Sequence, residues 1–171
     1  MDEKNTCCFF GHRKIPEKES IKSFIEIAIE ELITKKHIKT FLFGSKSQFD
    51  DICYGVVSAL KVKYPYIERI YVRAEFQHID DSYKSYLLEN YEDSYYPKSI
   101  SNAGKYVYVE RNQEMINKSS FCICYYDKNY LPSRRKNSKR DLTDYQPKSG
   151  TKVANDYAVR KKKTIINKLD D

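Results

Sequence analysis

Residues 6–13 read Thr-Cys-Cys-Phe-Phe-Gly-His-Arg. Residues 7–10 are apolar without alternation, which is typical of a strand buried on both faces of a parallel sheet. The run ends at Gly11, where the missing side chain lets the backbone come close to a ligand. His12 and Arg13 follow, and both can form hydrogen bonds with a phosphate or a ribose. This stretch therefore predicts a buried strand whose carboxyl end opens onto a polar ligand site.

A second polar loop lies near the other end of the chain. Ser149, Gly150 and Thr151 begin an amphipathic helix that leads to a last apolar strand at residues 164–166. The first N–H groups of a helix have no partner within the helix and favour an anion. Because loops after parallel strands converge at the carboxyl edge of the sheet, we expect both loops to hold one phosphate-bearing ligand.

Strands and helices alternate along the rest of the chain. Helices are predicted at residues 20–36, 106–118 and 151–162 and in segments beginning near Asp50 and Asp80, and strands at residues 6–10, 40–43, 69–72, 121–126 and 164–166. Strand and helix signals in alternation predict an α/β fold, with a parallel sheet of about five strands and helices on both faces. Residues 1–171 are expected to form a single domain, with variable excursions at residues 75–104 and 127–147.

Composition limits the classes of protein to which the chain can belong. Hydrophobic residues make up 40% of its 171 residues, enough for a core and too many for a disordered chain. The odd count of five cysteines, mostly in strand-like runs, favours buried, reduced thiols in the cytoplasm. No metal or cofactor is expected, because metal-ligand spacings, a P-loop and a dinucleotide fingerprint are all missing. Neither a signal peptide nor a membrane span is predicted.

Several segments, in order along the chain, resemble one protein family. They read TCCFFGHR at residues 6–13, FGSKSQFD at 43–50, LKVKYPYI at 60–67, ERNQEMINKSSFCI at 110–123 and SGTKVANDYAVRKKKTIIN at 149–167. Together they resemble the SLOG superfamily, which contains the LOG-type nucleotide hydrolases and the SMF/DprA single-strand DNA proteins. The similarity is closest to the small YspA/YpsA-like branch of bacterial and phage proteins. It implies a Rossmann-like domain with a nucleotide-like ligand at the carboxyl edge of the sheet.

The same resemblance implies roles for particular residues. In LOG-type enzymes a helix supplies an arginine in an Arg-x-x-x-Met setting, which Arg111 and Met115 match. A later Gly-Thr-x-x-Glu loop supplies phosphate-binding amides and a catalytic carboxylate. Gly150 and Thr151 match its start, but Ala154 occupies the glutamate position. Alanine can neither activate water nor stabilise developing charge, so the resemblance implies phosphate binding and puts N-glycosidic cleavage in doubt.

Further residues complete the predicted site. Gly44 and Ser45 match the family's second glycine-rich loop, and Asp50 suits either a helix N-cap or a ribose ligand. Asp156, two positions beyond Ala154, is a weak candidate for a catalytic carboxylate. The predicted ligand-binding residues are Gly11, His12, Arg13, Gly44, Ser45, Asp50, Arg111, Asn112, Met115, Ser149, Gly150 and Thr151.

Three functions from different classes remain open at this stage. The first is a module that senses or sequesters a nucleotide-derived small molecule, which would suit phage defence or counter-defence. The second is a LOG-type hydrolase of nucleotide N-glycosidic bonds. The third is a single-stranded nucleic-acid binder that uses the basic run at residues 134–140. Because charge runs are usually solvated loops, we expect neither nucleic acid nor a membrane as a partner, and a homo-oligomer stays open.

Overall fold

A computed structural model describes residues 2–132 and 148–170 of the chain. Its elements are β1 (Thr6–Gly11), α1 (Lys18–Lys36), β2 (Thr40–Phe43), α2 (Gln48–Lys63), β3 (Glu68–Val72), α3 (Asp81–Asn90), β4 (Asp93–Tyr95), α4 (Tyr106–Asn117), β5 (Phe121–Tyr125), α5 (Gly150–Arg160) and β6 (Thr164–Asn167), with short 3-10 helices at Glu3–Asn5 and Lys168–Asp170. The strands form one parallel sheet of six in the order β4-β3-β2-β1-β5-β6. The α/β class is confirmed.

The first strand divides its side chains between two cores. Cys7 and Phe9 point to one face, where the apolar stripes of α1 and α2 cover the sheet. Cys8 and Phe10 point to the other face, where they pack with residues of α4 and α5. Because both faces are covered, the strand is apolar at every position, as the unbroken run in the sequence predicts. The prediction of helices on both faces is confirmed.

The sheet has six strands rather than about five. The additional strand, β4, lies within residues 75–104, which the sequence analysis treated as a variable excursion. It is only three residues long, reads Asp-Ser-Tyr and occupies an edge, so it shows neither the length nor the apolar run of a buried strand. Pairing with β3 is what places it in the sheet.

The environment of the cysteines matches the sequence-based expectation. All five are free thiols and all five are buried. Burial is the main cause that raises the pKa of the Cys7 and Cys53 thiols, which keeps them protonated and unreactive. Within the described parts of the chain, none of the helices is both long enough and apolar enough to cross a bilayer.

The order of the strands determines where a ligand can bind. The chain builds outward from β1 to β4 on one side and then crosses to β5 and β6 on the other. In open α/β sheets, the carboxyl ends of the strands at such a reversal leave a crevice between loops that diverge to opposite faces. The loops after β1 and β5 flank this crevice.

Candidate functional site

A cavity of about 780 Å³ opens at the carboxyl edge of the sheet. Its size is within the range of pockets that bind small molecules. Gly11, Gly44 and Gly150 all line it, so the structure brings the three predicted loops to one place. Of the other predicted residues, the cavity is also lined by His12, Arg13, Ser45, Arg111, Asn112, Ser149 and Thr151.

Three predicted residues are not among those that line the cavity. Met115 is 2% exposed and packs in the core between α4 and the sheet. Asp156 is exposed on α5, where its carboxylate lies 3.6 Å from Lys148 Nζ and 3.5 Å from Lys152 Nζ. Asp50 is buried on the first turn of α2, whose N-cap is Ser47.

Arg111 is the central cation of the site. Only 4% of the residue is exposed, and the residue lines the cavity. One terminal nitrogen donates to the carbonyl oxygen of Gly44, and Nε donates to Oδ1 of Asn112 at 2.9 Å. Burial lowers the pKa of Arg111, and the nearby Asp50 carboxylate opposes that effect. A buried guanidinium held in one orientation is well suited to bind an anion, because little side-chain freedom remains to be lost.

Asp50 is the buried carboxyl group next to this arginine. Burial raises its pKa to about 7, while Arg111 and the backbone N–H groups of Gly44 and Ser45 act in the opposite direction. The Oδ1 atom is fully buried and has no hydrogen-bond partner. Asp50 therefore lies beside Arg111 and the loop that follows β2, and it is not among the residues that line the cavity.

The first turn of α5 supplies uncharged donors to the same cavity. The hydroxyl of Ser149 accepts the N–H of Lys152 at 3.0 Å and caps the helix. The N–H groups of Gly150 and Thr151 precede that bond and have no acceptor within the helix. An anion in the cavity can accept from them and gain from the helix dipole.

His12 is an uncharged residue in the lining of the cavity. It is 7% exposed, and the N–H of Asp127 donates to its Nε2 at 3.0 Å, so this nitrogen carries no proton. Burial is the main cause that lowers the pKa of His12. Its ring centroid lies 4.3 Å from that of Tyr130, which also lines the cavity. His12 thus offers an aromatic surface and no positive charge at neutral pH.

The sequence analysis missed the part of the site that follows β3. Arg73, Glu75 and Phe76 line the cavity, together with Tyr83 of α3 and Tyr108 of α4. The first three come directly after a parallel strand, so the rule used for β1 and β2 would have found them. Arg73 lies just before the segment interpreted as a variable excursion, and Glu75 and Phe76 lie at its start.

The cavity is strongly cationic. Among the described residues, its lining carries one carboxylate, Glu75, which accepts a hydrogen bond from the Tyr108 hydroxyl. The positively charged side chains of the lining are Arg13, Lys46, Arg73, Lys105, Arg111 and Lys148. Such an excess of one sign in a concave site raises the local concentration of anions. Nowhere in residues 2–132 and 148–170 do three or more His, Cys, Asp or Glu side chains group to hold a metal ion.

Substitution of the loop glycines tests this geometry. A Cβ at Gly44 would lie 2.5 Å from Arg111 Nη1, and one at Gly11 would lie 2.5 Å from ring atoms of Phe49. We expect Gly44→Ala and Gly11→Ala each to lower the free energy of unfolding by about 1–3 kcal/mol, measured by urea denaturation. The control is Gly55→Ala in α2, where a Cβ meets nothing within 4 Å. It should raise stability by about 1 kcal/mol, and equal effects at Gly44 and Gly55 would contradict the packing.

The fold and the cavity define a Rossmann-like domain with a crevice lined by cationic side chains at the point where the strand order reverses. Residues 5–157 match the model of the YspA SLOG family, and the chain belongs to that family. The resemblance noted from the sequence motifs is confirmed. No curated protein matches the chain.

Two solved structures share the fold. DNA processing protein A (DprA) from Streptococcus pneumoniae aligns with a TM-score of 0.56 at 11% identity, over 95% of this chain and 49% of that one. DNA processing protein A from Helicobacter pylori, which binds single-stranded DNA, aligns with a TM-score of 0.56 at 17% identity, over 96% of this chain and 65% of that one. The chain thus spans about half to two thirds of these proteins.

The second of these structures corrects one expectation. The sequence analysis expected no nucleic-acid partner, on the ground that the basic run was a solvated loop. That expectation is wrong, because a protein with this fold binds single-stranded DNA. The basic run itself, at residues 134–140, lies outside the described residues.

Proposed function

We propose that this chain binds a phosphate-bearing, nucleotide-derived small molecule at the carboxyl edge of its sheet and releases it unchanged, as a sensor or a sequestering module. The proposal rests on one observation: the buried Arg111 and the first turn of α5 line the same cavity. A guanidinium and free helix N–H groups together supply charge and directed donors for a phosphate.

The proposal excludes cleavage of the ligand, because neither Ala154 nor Asp156 places a catalytic carboxylate in the cavity. Ala154 is 3% exposed and packs in the core, while Asp156 is exposed and paired with lysines. N-glycosidic hydrolysis needs a carboxylate that activates water or stabilises the oxocarbenium-like charge. If the protein were a hydrolase, Glu75 would have to act as its catalytic carboxylate, because it is the one carboxylate in the described cavity lining. Glu75 already accepts a hydrogen bond from the Tyr108 hydroxyl.

An assay for released ribose 5-phosphate tests whether the protein leaves its ligand uncleaved. We expect purified protein incubated with nucleoside monophosphates to release no ribose 5-phosphate above the background of buffer alone, because alanine stands at the carboxylate position. Glu75→Gln is the matched variant, since it removes the one carboxylate among the described residues that line the cavity. Release by the unchanged protein that Glu75→Gln abolishes would overturn the binding-only proposal and support the hydrolase.

Single-stranded DNA is a second candidate ligand, favoured by the Helicobacter pylori protein of the same fold. The cavity suits this ligand chemically, because exposed aromatic residues accompany its cations. Proteins that bind single strands combine a positive groove with aromatic side chains on which bases stack. A strand would have to extend beyond the cavity, so its affinity would depend on charges elsewhere on the surface.

Salt dependence separates the two candidates. Titration calorimetry with nucleoside phosphates should show affinity that falls only modestly between about 50 and 200 mM salt, because few phosphates are neutralised. Neutralising Arg134, Arg135, Lys139 and Arg140 together should leave the affinity for nucleoside phosphates unchanged, because the proposal assigns the phosphate to Arg111 and the first turn of α5. A steep salt dependence with oligonucleotides, lost in the same variant, would favour the DNA candidate.

A further inference from the structure

Phe76 combines two properties that are individually unfavourable. Its side chain is bulky and apolar, yet the residue is 68% exposed. Its backbone has φ of 57°, in the left-handed region that residues with large side chains rarely adopt. Such conformations persist where the surrounding structure enforces them, and they cluster at functional sites. Phe76 is also one of the residues that line the carboxyl-edge cavity.

Two tethers hold the backbone of this loop in place. A guanidinium nitrogen of Arg73 donates to the carbonyl oxygen of Phe76 at 2.8 Å and to that of Gln77 at 3.4 Å. The hydroxyl of Tyr108 donates to the carboxylate of Glu75, the residue before Phe76. The loop is therefore attached both to the end of β3 and to α4. Arg73 thus holds backbone carbonyls of the loop and Tyr108 holds the Glu75 side chain, while the ring of Phe76 belongs to neither core.

The position of the ring suits the other half of a nucleotide. Arg111 contacts Gly44 at the end of β2, and Phe76 follows the neighbouring strand β3. Both residues line the same cavity of about 780 Å³, so a phosphate at Arg111 and a base at Phe76 are within reach of one nucleoside phosphate. Tyr108, on the same face of α4 as Arg111, also lines the cavity and adds a second aromatic surface.

We infer that Phe76 is the stacking surface for a nucleobase, and that the ligand of the cavity is a nucleoside phosphate and not a sugar phosphate or free phosphate. This inference rests on the proposed function, because it assigns the base to a site whose phosphate is held at Arg111 and α5. The ring selects for an aromatic ligand, while Arg73 acts as a positioning residue that keeps the loop in its left-handed turn.

The experiment compares two probes on three forms of the protein. The probes are adenosine 5′-monophosphate and ribose 5-phosphate, which share the phosphate and the ribose and differ in the base. The variants are Phe76→Asn, which removes the ring but tolerates positive φ, and Phe76→Trp, which keeps a ring. Affinities are measured by calorimetry, and melting temperatures by circular dichroism.

We expect the unchanged protein to bind the nucleotide more tightly than ribose 5-phosphate, and Phe76→Asn to weaken nucleotide binding by about fivefold to a hundredfold, the range typical of base stacking. Ribose 5-phosphate should bind equally to both forms. Phe76→Trp should retain the preference for the nucleotide. Because asparagine relieves the backbone, the melting temperature of Phe76→Asn should be equal to or higher than that of the unchanged protein, by up to about 2–4 °C.

Each other outcome decides against the inference in a distinguishable way. Equal affinity of the unchanged protein for both probes, or an unchanged preference in Phe76→Asn, overturns the stacking role and leaves the proposed function intact. Failure of the unchanged protein to bind either probe overturns both. A dependence on Phe76 seen only with a short oligothymidylate would assign the base to a DNA strand and overturn the mononucleotide assignment.

Discussion

Replacing Arg111 with alanine should nearly abolish nucleotide binding. Arg111 is 4% exposed and lines the cavity, and its guanidinium is held by hydrogen bonds to Gly44 and Asn112. Removing one partner of a buried, hydrogen-bonded charge pair costs about 2–5 kcal/mol, which corresponds to a loss of affinity of about 30-fold to several thousand-fold. Titration calorimetry with nucleoside phosphates measures the change directly.

The control must separate binding from folding, because Arg111→Ala also leaves the Asp50 carboxyl group without its compensating charge. A buried group that loses its partner destabilises the fold. We therefore expect the double variant Arg111→Ala/Asp50→Asn to be more stable than Arg111→Ala alone, while its binding stays lost. Recovery of binding in the double variant would show that Arg111 supports the fold and does not contact the ligand.

The second large effect that we expect is a fall in stability as the pH rises from acidic to neutral, and its cause is Asp50. Burial raises the pKa of this carboxyl group from 3.8 to about 7 in the folded protein. Between these values the folded state keeps the proton and the unfolded state loses it, so the free energy of unfolding falls as pH rises. A pKa shift of this size contributes about 3–5 kcal/mol to the free energy of unfolding. This contribution is fully present below about pH 4 and is lost by about pH 7.

Urea denaturation at pH 4 to 8 tests this prediction. In Asp50→Asn the side chain does not titrate, so its stability relative to the unchanged protein should increase by about 3–5 kcal/mol across that range. Asp51 is the matched control, because it is exposed on the same helix turn. Asp51→Asn should leave the pH profile within about 0.5 kcal/mol of the original. If the stability of Asp50→Asn changed with pH in parallel with that of the unchanged protein, Asp50 would not be a buried, protonated carboxyl group.

Much of the fold was predictable from local pattern. The strand at Thr40–Phe43 has the predicted bounds, and α1 differs from its predicted start by two residues. These elements bury a continuous apolar run or a stripe at helical spacing, and such patterns survive in the sequence. The strand at Asp93–Tyr95 was missed because its place in the sheet comes from pairing with β3 and not from its own residues.

The helix start near Asp50 shows the limit of local chemistry. Aspartate is a good N-cap, and the sequence analysis placed the start of this helix near Asp50. In the structure the Ser47 hydroxyl accepts the Asp50 N–H at 3.2 Å, so the cap lies three residues earlier. Asp50 is then turned inward, toward the loop that follows β2. Local preference ranks possible caps, but packing of the helix against the sheet selects one of them.

The sequence by itself determined the parallel α/β fold, the SLOG family and the residues of two loops that line the cavity, because these depend on periodicity and on motifs that are contiguous in the chain. Only the tertiary structure decided that Arg111 is buried beside Asp50, that the loop after β3 belongs to the cavity, and that Phe76 stands exposed at its wall. Burial, charge compensation and shared lining depend on residues distant in sequence meeting in space. Desolvation in particular has no local signal, since it depends on what the folded chain places around a group.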